Sequence, residues 1–171
     1  MTNTELETCI NKYGKDIYSF CRHLTCNVQE ADDLYQDTFL KSMELDDELD
    51  FDDNPKSYLL SIALRIWRNR KRKFAWRRRI TEERIVTEER MENEWESMDS
   101  PEERLLRKEE YMSVRKAVTK LPERQKVIVL LYYMEEMSVA QIAAIANIPV
   151  GTVKSRLHQA RITLKKELED I

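Results

Sequence analysis

Glycine and proline are scarce in this chain, two and four among 171 residues. Tight turns and hairpins lean on both, so the shortage argues against a β-rich fold and for long helices. No apolar run approaches the ~20 residues a membrane-spanning helix needs, and the N-terminus lacks a signal-peptide pattern. A cytoplasmic protein is expected. There is no phosphate-cradling glycine loop, and the two histidines, His23 and His158, fall in different halves. No nucleophile–base pairing is suggested, so neither an enzyme nor a cofactor is expected. Cysteine is also sparse: Cys9, Cys21 and Cys26 are odd in number and all N-terminal. Cys21, His23 and Cys26 lack a fourth ligand nearby, which favours reduced core cysteines over a metal site.

Charge, by contrast, is abundant, at 36% against 42% apolar residues. A usual share is about a quarter. The net charge of -3 hides strong segregation. Residues 46–53 are almost all acidic, 65–79 carry nine Lys or Arg and no acid, and 82–103 turn acidic again. Local basic patches, not the net charge, define where a polyanion can bind.

The chain reads as all-α: two small helical domains, 1–80 and 100–171, joined by a charged linker, 81–99. Glu5 to Leu24 forms a first helix with Leu6, Ile10, Tyr13, Ile17 and Phe20 on its apolar side. Asn27 caps a second, from Val28 to about Leu45, with a stripe of Val28, Ala31, Tyr35, Thr38, Phe39 and Ser42. Its outer face holds Asp33, Gln36, Asp37 and Leu40. An apolar residue among acceptors suits a protein partner, although a solvated face is the simpler reading. Asn54-Pro55 starts a third helix, to about Arg79, whose core stripe is Leu59, Ile62, Ala63 and Ile66. Beyond residue 67 that line meets Arg70, Lys73 and Arg77, so the second half projects from the domain. Arg65, Arg68 and Arg72 share an outward face, with Trp67, Phe74 and Trp76 interleaved. Cations that grip phosphates and aromatics that stack on bases suit single-stranded or melted nucleic acid. A membrane-surface helix is the alternative for this segment.

Ser100-Pro101-Glu102-Glu103 is a capping box that opens the second domain. Four helices are expected there: one to about Lys120, a core helix from Pro122, a short one capped by Ser138 and Gln141, and a long basic one, PVGTVKSRLHQARITLKKE. The last buries Val150, Val153, Leu157, Ala160, Leu164 and Leu168. Opposite them stand Ser155, His158 and Gln159, flanked by Lys154, Arg156 and Arg161. Short helix, tight turn and long basic helix make a helix-turn-helix, which favours DNA reading over an ordinary amphipathic surface helix.

With this order complete, the sequence resembles a two-domain bacterial sigma factor of the extracytoplasmic-function class. EADDLYQDTFLKS, PKSYLLSIALRIWRNRKRK and LPERQKVIVLLYYMEEMSVAQIAAIANIPVGTVKSRLHQAR carry the resemblance. It implies a protein that joins core RNA polymerase and directs it to promoter DNA, in preference to a self-sufficient helix-turn-helix regulator or an RNA-binding protein. The family's polymerase contact falls on Asp32, Asp33, Leu34, Gln36 and Asp37, with Leu40 on the same outer face. Minus-ten recognition falls on Asp46–Asn54 and the exposed side of the third helix: Tyr58, Arg65, Trp67, Arg68, Asn69 and Arg72. Where the family often shows Asn and Asp along the third helix, this chain has Arg65 and Asn69, with a bulky Trp67 between them. Minus-thirty-five reading falls on Lys154, Ser155, His158 and Gln159, with phosphate contacts at Thr152, Arg156 and Arg161. Gly151 would let the helix N-terminus approach a phosphate. Members are commonly held inactive by an anti-sigma factor, often membrane-anchored. No stable homo-oligomer is expected.

Overall fold

A computed structural model describes residues 2–45, 54–80 and 101–169. Among them are seven helices and no strand. The acidic stretch 46–53 and the expected linker 81–99 lie outside the described residues. No helix described is long and apolar enough to cross a membrane. The chain divides into two compact units, one centred on the three N-terminal helices and one on the C-terminal four, with Ala144–Asn147 grouped in the first.

Helix α1 (Asn3–Thr25) starts two residues earlier than its hydrophobic pattern suggests. Thr2 and Glu5 form a reciprocal cap: the Thr2 N–H donates to Glu5 Oε2 at 2.8 Å, and the Glu5 N–H to Thr2 Oγ1 at 3.3 Å. Two orphan donors of the first turn are thereby satisfied. Cys26, in the left-handed region at φ 55°, ends α1. Asn27 then caps α2 (Val28–Glu44), its Oδ1 accepting from the Glu30 N–H at 3.0 Å. So short a link leaves the two helices antiparallel neighbours. Helix α3 (Pro55–Ile80) opens as expected, with Asn54 Oδ1 accepting from the Ser57 N–H at 3.1 Å.

The three helices share a core of Ile17, Phe20 and Leu24 from α1, Ala31 and Leu34 from α2, and Leu59, Leu60, Ala63 and Leu64 from α3. Thr38 and Ser42 are also buried, and each hydroxyl donates to a carbonyl of its own helix at 2.6 Å, Leu34 O and Phe39 O respectively. Gly14 allows α1 and α2 to close together, because a Cβ there would stand 3.0 Å from Tyr35 Oη. Tyr18, Tyr35 and Phe39 continue that seam edge to face, at centroid distances of 5.5 and 5.0 Å. The ion pair between Lys56 and Asp16, at 3.0 Å, ties α3 to α1.

In the second unit, α4 (Pro101–Lys120) is followed by α5 (Glu123–Val129). Helix α5 widens into a π-turn at Leu130–Met134, where the Glu135 N–H donates to Leu130 O at 3.1 Å. The core-helix expectation holds for Lys126–Leu131, which are buried throughout. Helix α6 (Val139–Ala146) carries the expected capping box, with Ser138 and Gln141 exchanging bonds of 2.9 and 3.1 Å. Asn147 then takes a left-handed φ of 54°. The Ile148 N–H returns to Ala143 O at 3.1 Å, and Pro149 O accepts from the Thr152 and Val153 N–H groups to start α7 (Val150–Glu169). An asparagine at a helix C-terminus tolerates this conformation better than most residues.

Leu34 is wholly buried between its neighbours. Leu34→Ala is expected to lower stability by about 2–5 kcal/mol. A shift of the urea denaturation midpoint measures it, and an unchanged midpoint would contradict this packing.

Candidate nucleic-acid and partner interfaces

Three helix faces are left outward once the stripes are buried. On α2, Asp33, Gln36, Asp37 and Leu40 are exposed, Leu40 to 58%. Asp37 pairs with Arg70 of α3. Asp32 is half-buried, and its Oδ1 accepts from the Tyr18 hydroxyl at 2.7 Å. It therefore braces α2 on α1 as well as bordering the face. Leu34 corrects the expectation for this site. It lies on the inward side with Ala31 and Thr38, at helical spacing, and has no surface to offer a partner.

Along α3 the cationic face comes out largely as expected. Arg65, Asn69 and Arg72 are exposed, and Arg72 donates to the Asn69 side chain. Arg68 is half-buried, as is Tyr58, whose hydroxyl pKa is pushed up by burial. Trp67 is the second correction, being only 4% exposed. It stands one turn beyond Ala63 and two beyond Leu59, so the core stripe ends on Trp67 and not on Ile66, which is only half-buried. Lys71 covers the ring, with Nζ 4.6 Å from its centroid. From Lys71 to Ile80 every residue is exposed. The aromatics available for stacking are Phe74 and Trp76, at 60% and 66% exposure, with the Arg78 guanidinium 5.7 Å from the Phe74 ring. The acidic loop expected before α3 lies outside the described residues, except Asn54.

Helix α7 buries Val153, Leu157 and Ala160 and half-buries Leu164. Val150 and Leu168, expected at the ends of that stripe, are exposed, because the packing runs out at both ends of the helix. Lys154, Ser155, His158 and Gln159 all face solvent, and Thr152 and Arg156 are half-buried beside them. These four outer residues present a cation, a hydroxyl, an imidazole and an amide within two turns, donors and acceptors suited to base edges. A Cβ on Gly151 would meet nothing within 4 Å, so the fold itself leaves the helix N-terminus open. Arg161 is exposed but not loose. Its Nε donates to Tyr133 Oη at 2.7 Å, a bond that raises the arginine's pKa, and its guanidinium lies 5.5 and 5.8 Å from the Tyr132 and Tyr133 rings. Nothing in the periodicity pointed to this contact; the adjacent tyrosines were its only trace.

Cys9 and Cys21 are buried and Cys26 half-buried. Burial raises the Cys9 thiol pKa. His23 Nδ1 lies 2.8 Å from Ser19 O, and Cys26 Sγ donates to His23 O at 3.5 Å. These groups serve helix ends. Among the described residues no cluster of His, Cys, Asp or Glu could hold a metal ion.

Comparison with known proteins gives two matches to family models: sigma-70 region 2 over residues 9–78 and sigma-70 region 4 over residues 111–164. The chain is 30% identical over 164 residues to the ECF RNA polymerase sigma factor SigW of Bacillus subtilis, covering 95% of this chain and 88% of that one. To the RNA polymerase sigma-H factor of Pseudomonas aeruginosa it is 28% identical over 165 residues, covering 94% and 84%. Its fold is similar to that of the sigma factor RpoE, solved with the anti-sigma factor NepR from Bartonella quintana: TM-score 0.79, 22% identity, 96% and 97% coverage. CnrH, solved with the cytosolic domain of CnrY, gives a TM-score of 0.69 at 19% identity, with 99% and 90% coverage.

The contrast between two tryptophans of α3 is testable by denaturation. Trp67→Ala should cost about 3–5 kcal/mol as a core truncation. Trp76→Ala, on the exposed end, should stay within about 0.5 kcal/mol of the parent. Equal losses would contradict the placement of the core boundary.

Proposed function

The chain belongs to the sigma-70 family, in its extracytoplasmic-function class, and as a sigma factor it directs core RNA polymerase to promoters; from that premise we propose how its surfaces divide the work. Helix α7 reads the minus-thirty-five element with Lys154, Ser155, His158 and Gln159, while Thr152, Arg156 and Arg161 hold phosphates. The observation that carries this is the burial of Val153, Leu157 and Ala160, which turns those four side chains to solvent. Base contacts choose the sequence, and the flanking cations supply affinity regardless of it.

Residues 1–80 act as the unit for polymerase and the minus-ten element, 81–99 as the linker, and 100–171 as the minus-thirty-five unit. On α2, Asp33, Gln36, Asp37 and Leu40 meet polymerase; Asp32 supports them from the Tyr18 bond, and Leu34 holds the helix from below. On α3, Arg65, Arg68, Asn69 and Arg72 follow the minus-ten strand, with Tyr58 at the start of that face. Phe74 and Trp76 keep the stacking role expected of the three aromatics, without Trp67. The protein is not an enzyme, works in the cytoplasm and forms no stable homo-oligomer.

Free sigma binds promoter DNA poorly on this reading, because the acidic stretches 46–53 and 82–103 repel phosphate until polymerase arranges both units. The fold neighbours RpoE and CnrH were solved with NepR and with the cytosolic domain of CnrY. An anti-sigma factor, membrane-anchored as is common in the class, is the expected inhibitor here, and it competes for the same faces.

Run-off transcription with purified core polymerase on a genomic promoter library tests the reading as a whole. His158→Ala and Gln159→Ala should each shift base preference in the upstream element, by about 1–3 kcal/mol per lost contact. Arg156→Ala should weaken all promoters alike. A promoter profile indifferent to both His158→Ala and Gln159→Ala would remove α7 from base reading. Leu40→Asp should abolish co-purification with core polymerase while leaving the melting temperature unchanged; retained binding would move the polymerase contact off α2.

A further inference from the structure

The π-turn at Leu130–Met134 carries a contact that neither helix periodicity nor the division of faces explains. A π-turn adds a residue to a helical turn and is often found at functional positions. Here it presents two consecutive tyrosines, their rings 4.9 Å apart and edge to face, to the same arginine of α7. Arg161 Nε donates to Tyr133 Oη at 2.7 Å, and the guanidinium stands over both rings at 5.5 and 5.8 Å. Arg161 follows His158 by one helical turn, so it borders the outer face of α7.

An exposed arginine normally samples many rotamers, and ordering it on a ligand costs about 2 kcal/mol of side-chain entropy at most. This arginine is already ordered. Tyr133 takes the Nε–H and Tyr132 adds a second side-chain hydrogen bond, which leaves three of the five guanidinium N–H donors, all on the two outer Nη groups of this exposed residue. Those groups form the end of the fork that matches a phosphate. Tyr133 itself is 54% exposed, so its hydroxyl contributes little to the core and its bond to Arg161 is not forced by packing.

We infer that Tyr133 is a positioning residue: with Tyr132 it holds Arg161 in advance, Nη groups outward, for a backbone phosphate of duplex DNA beside the bases read by α7. This rests on the reading of α7 as the minus-thirty-five helix. The bound conformation is prepared before the DNA arrives, so affinity is gained by lowering the ordering cost without adding a contact.

A double-mutant cycle on the reconstituted holoenzyme tests it, with a duplex promoter fragment taken from the run-off screen and binding titrated against salt. Arg161→Ala should lower the slope of log affinity against log salt by about 1, as for one lost phosphate contact. Tyr133→Phe should weaken binding several-fold in the parent, with its melting temperature unchanged, and should have no effect in the Arg161→Ala background. An equal loss from Tyr133→Phe in both backgrounds would assign the tyrosine a general structural role and overturn the proposal. So would a neutral Tyr133→Phe beside a reduced Arg161→Ala slope, and the phosphate contact at Arg161 would then stand alone. An unchanged slope in Arg161→Ala would remove that contact, and the positioning role with it, while base reading by His158 and Gln159 is judged separately by promoter preference.

Discussion

Burying a stripe on a helix sets the helix's rotation, and with it the identity of every residue on the far side. That constraint sets all three outward faces. Val153, Leu157 and Ala160 turn Ser155, His158 and Gln159 outward on α7. Ala31, Leu34 and Thr38 do the same for Asp33, Gln36, Asp37 and Leu40 on α2. A slip of one residue would rotate either helix by about 100° and bring charged groups into the core. Fully buried leucines resist such a slip at a few kcal/mol each, far more than the surface contacts they position.

The outward residues are not only waiting for partners. Asp32 accepts from Tyr18 and Asp37 pairs with Arg70, so two acids of the α2 face also hold α2 to its neighbours. Exposed pairs such as Asp37–Arg70 contribute little to stability, roughly 0–1 kcal/mol. A partner can therefore exchange that bond for one of its own at small cost.

Much of this was legible in the sequence, because the strongest signals are local. Asn27, Asn54 and the Ser138–Gln141 box mark their helix starts without reference to anything distant. The outer face of α7 followed from spacing alone. Errors arose where burial depends on what lies opposite. Helix α2 packs against both α1 and α3, so its buried face is wider than a single stripe and takes in Leu34. Trp67 sits among arginines in the sequence, yet belongs to the line Leu59–Ala63–Trp67 and is drawn into the core. The Arg161–Tyr133 bond joins residues 28 positions apart, which no local pattern encodes.

Helix α3 has one more property. After Pro55 it contains neither proline nor glycine for its remaining length to Ile80, and 26 residues make a rod of roughly 39 Å. Residues 55–70 pack in or beside the three-helix core, and the last ten, 71–80, are exposed. Mechanically it is a cantilever without a hinge. Its basic, aromatic tip cannot be re-aimed by local flexing; displacing it means tilting the three-helix body in which it is anchored. A load applied at the tip is thus delivered to that body as torque and is not absorbed within the helix.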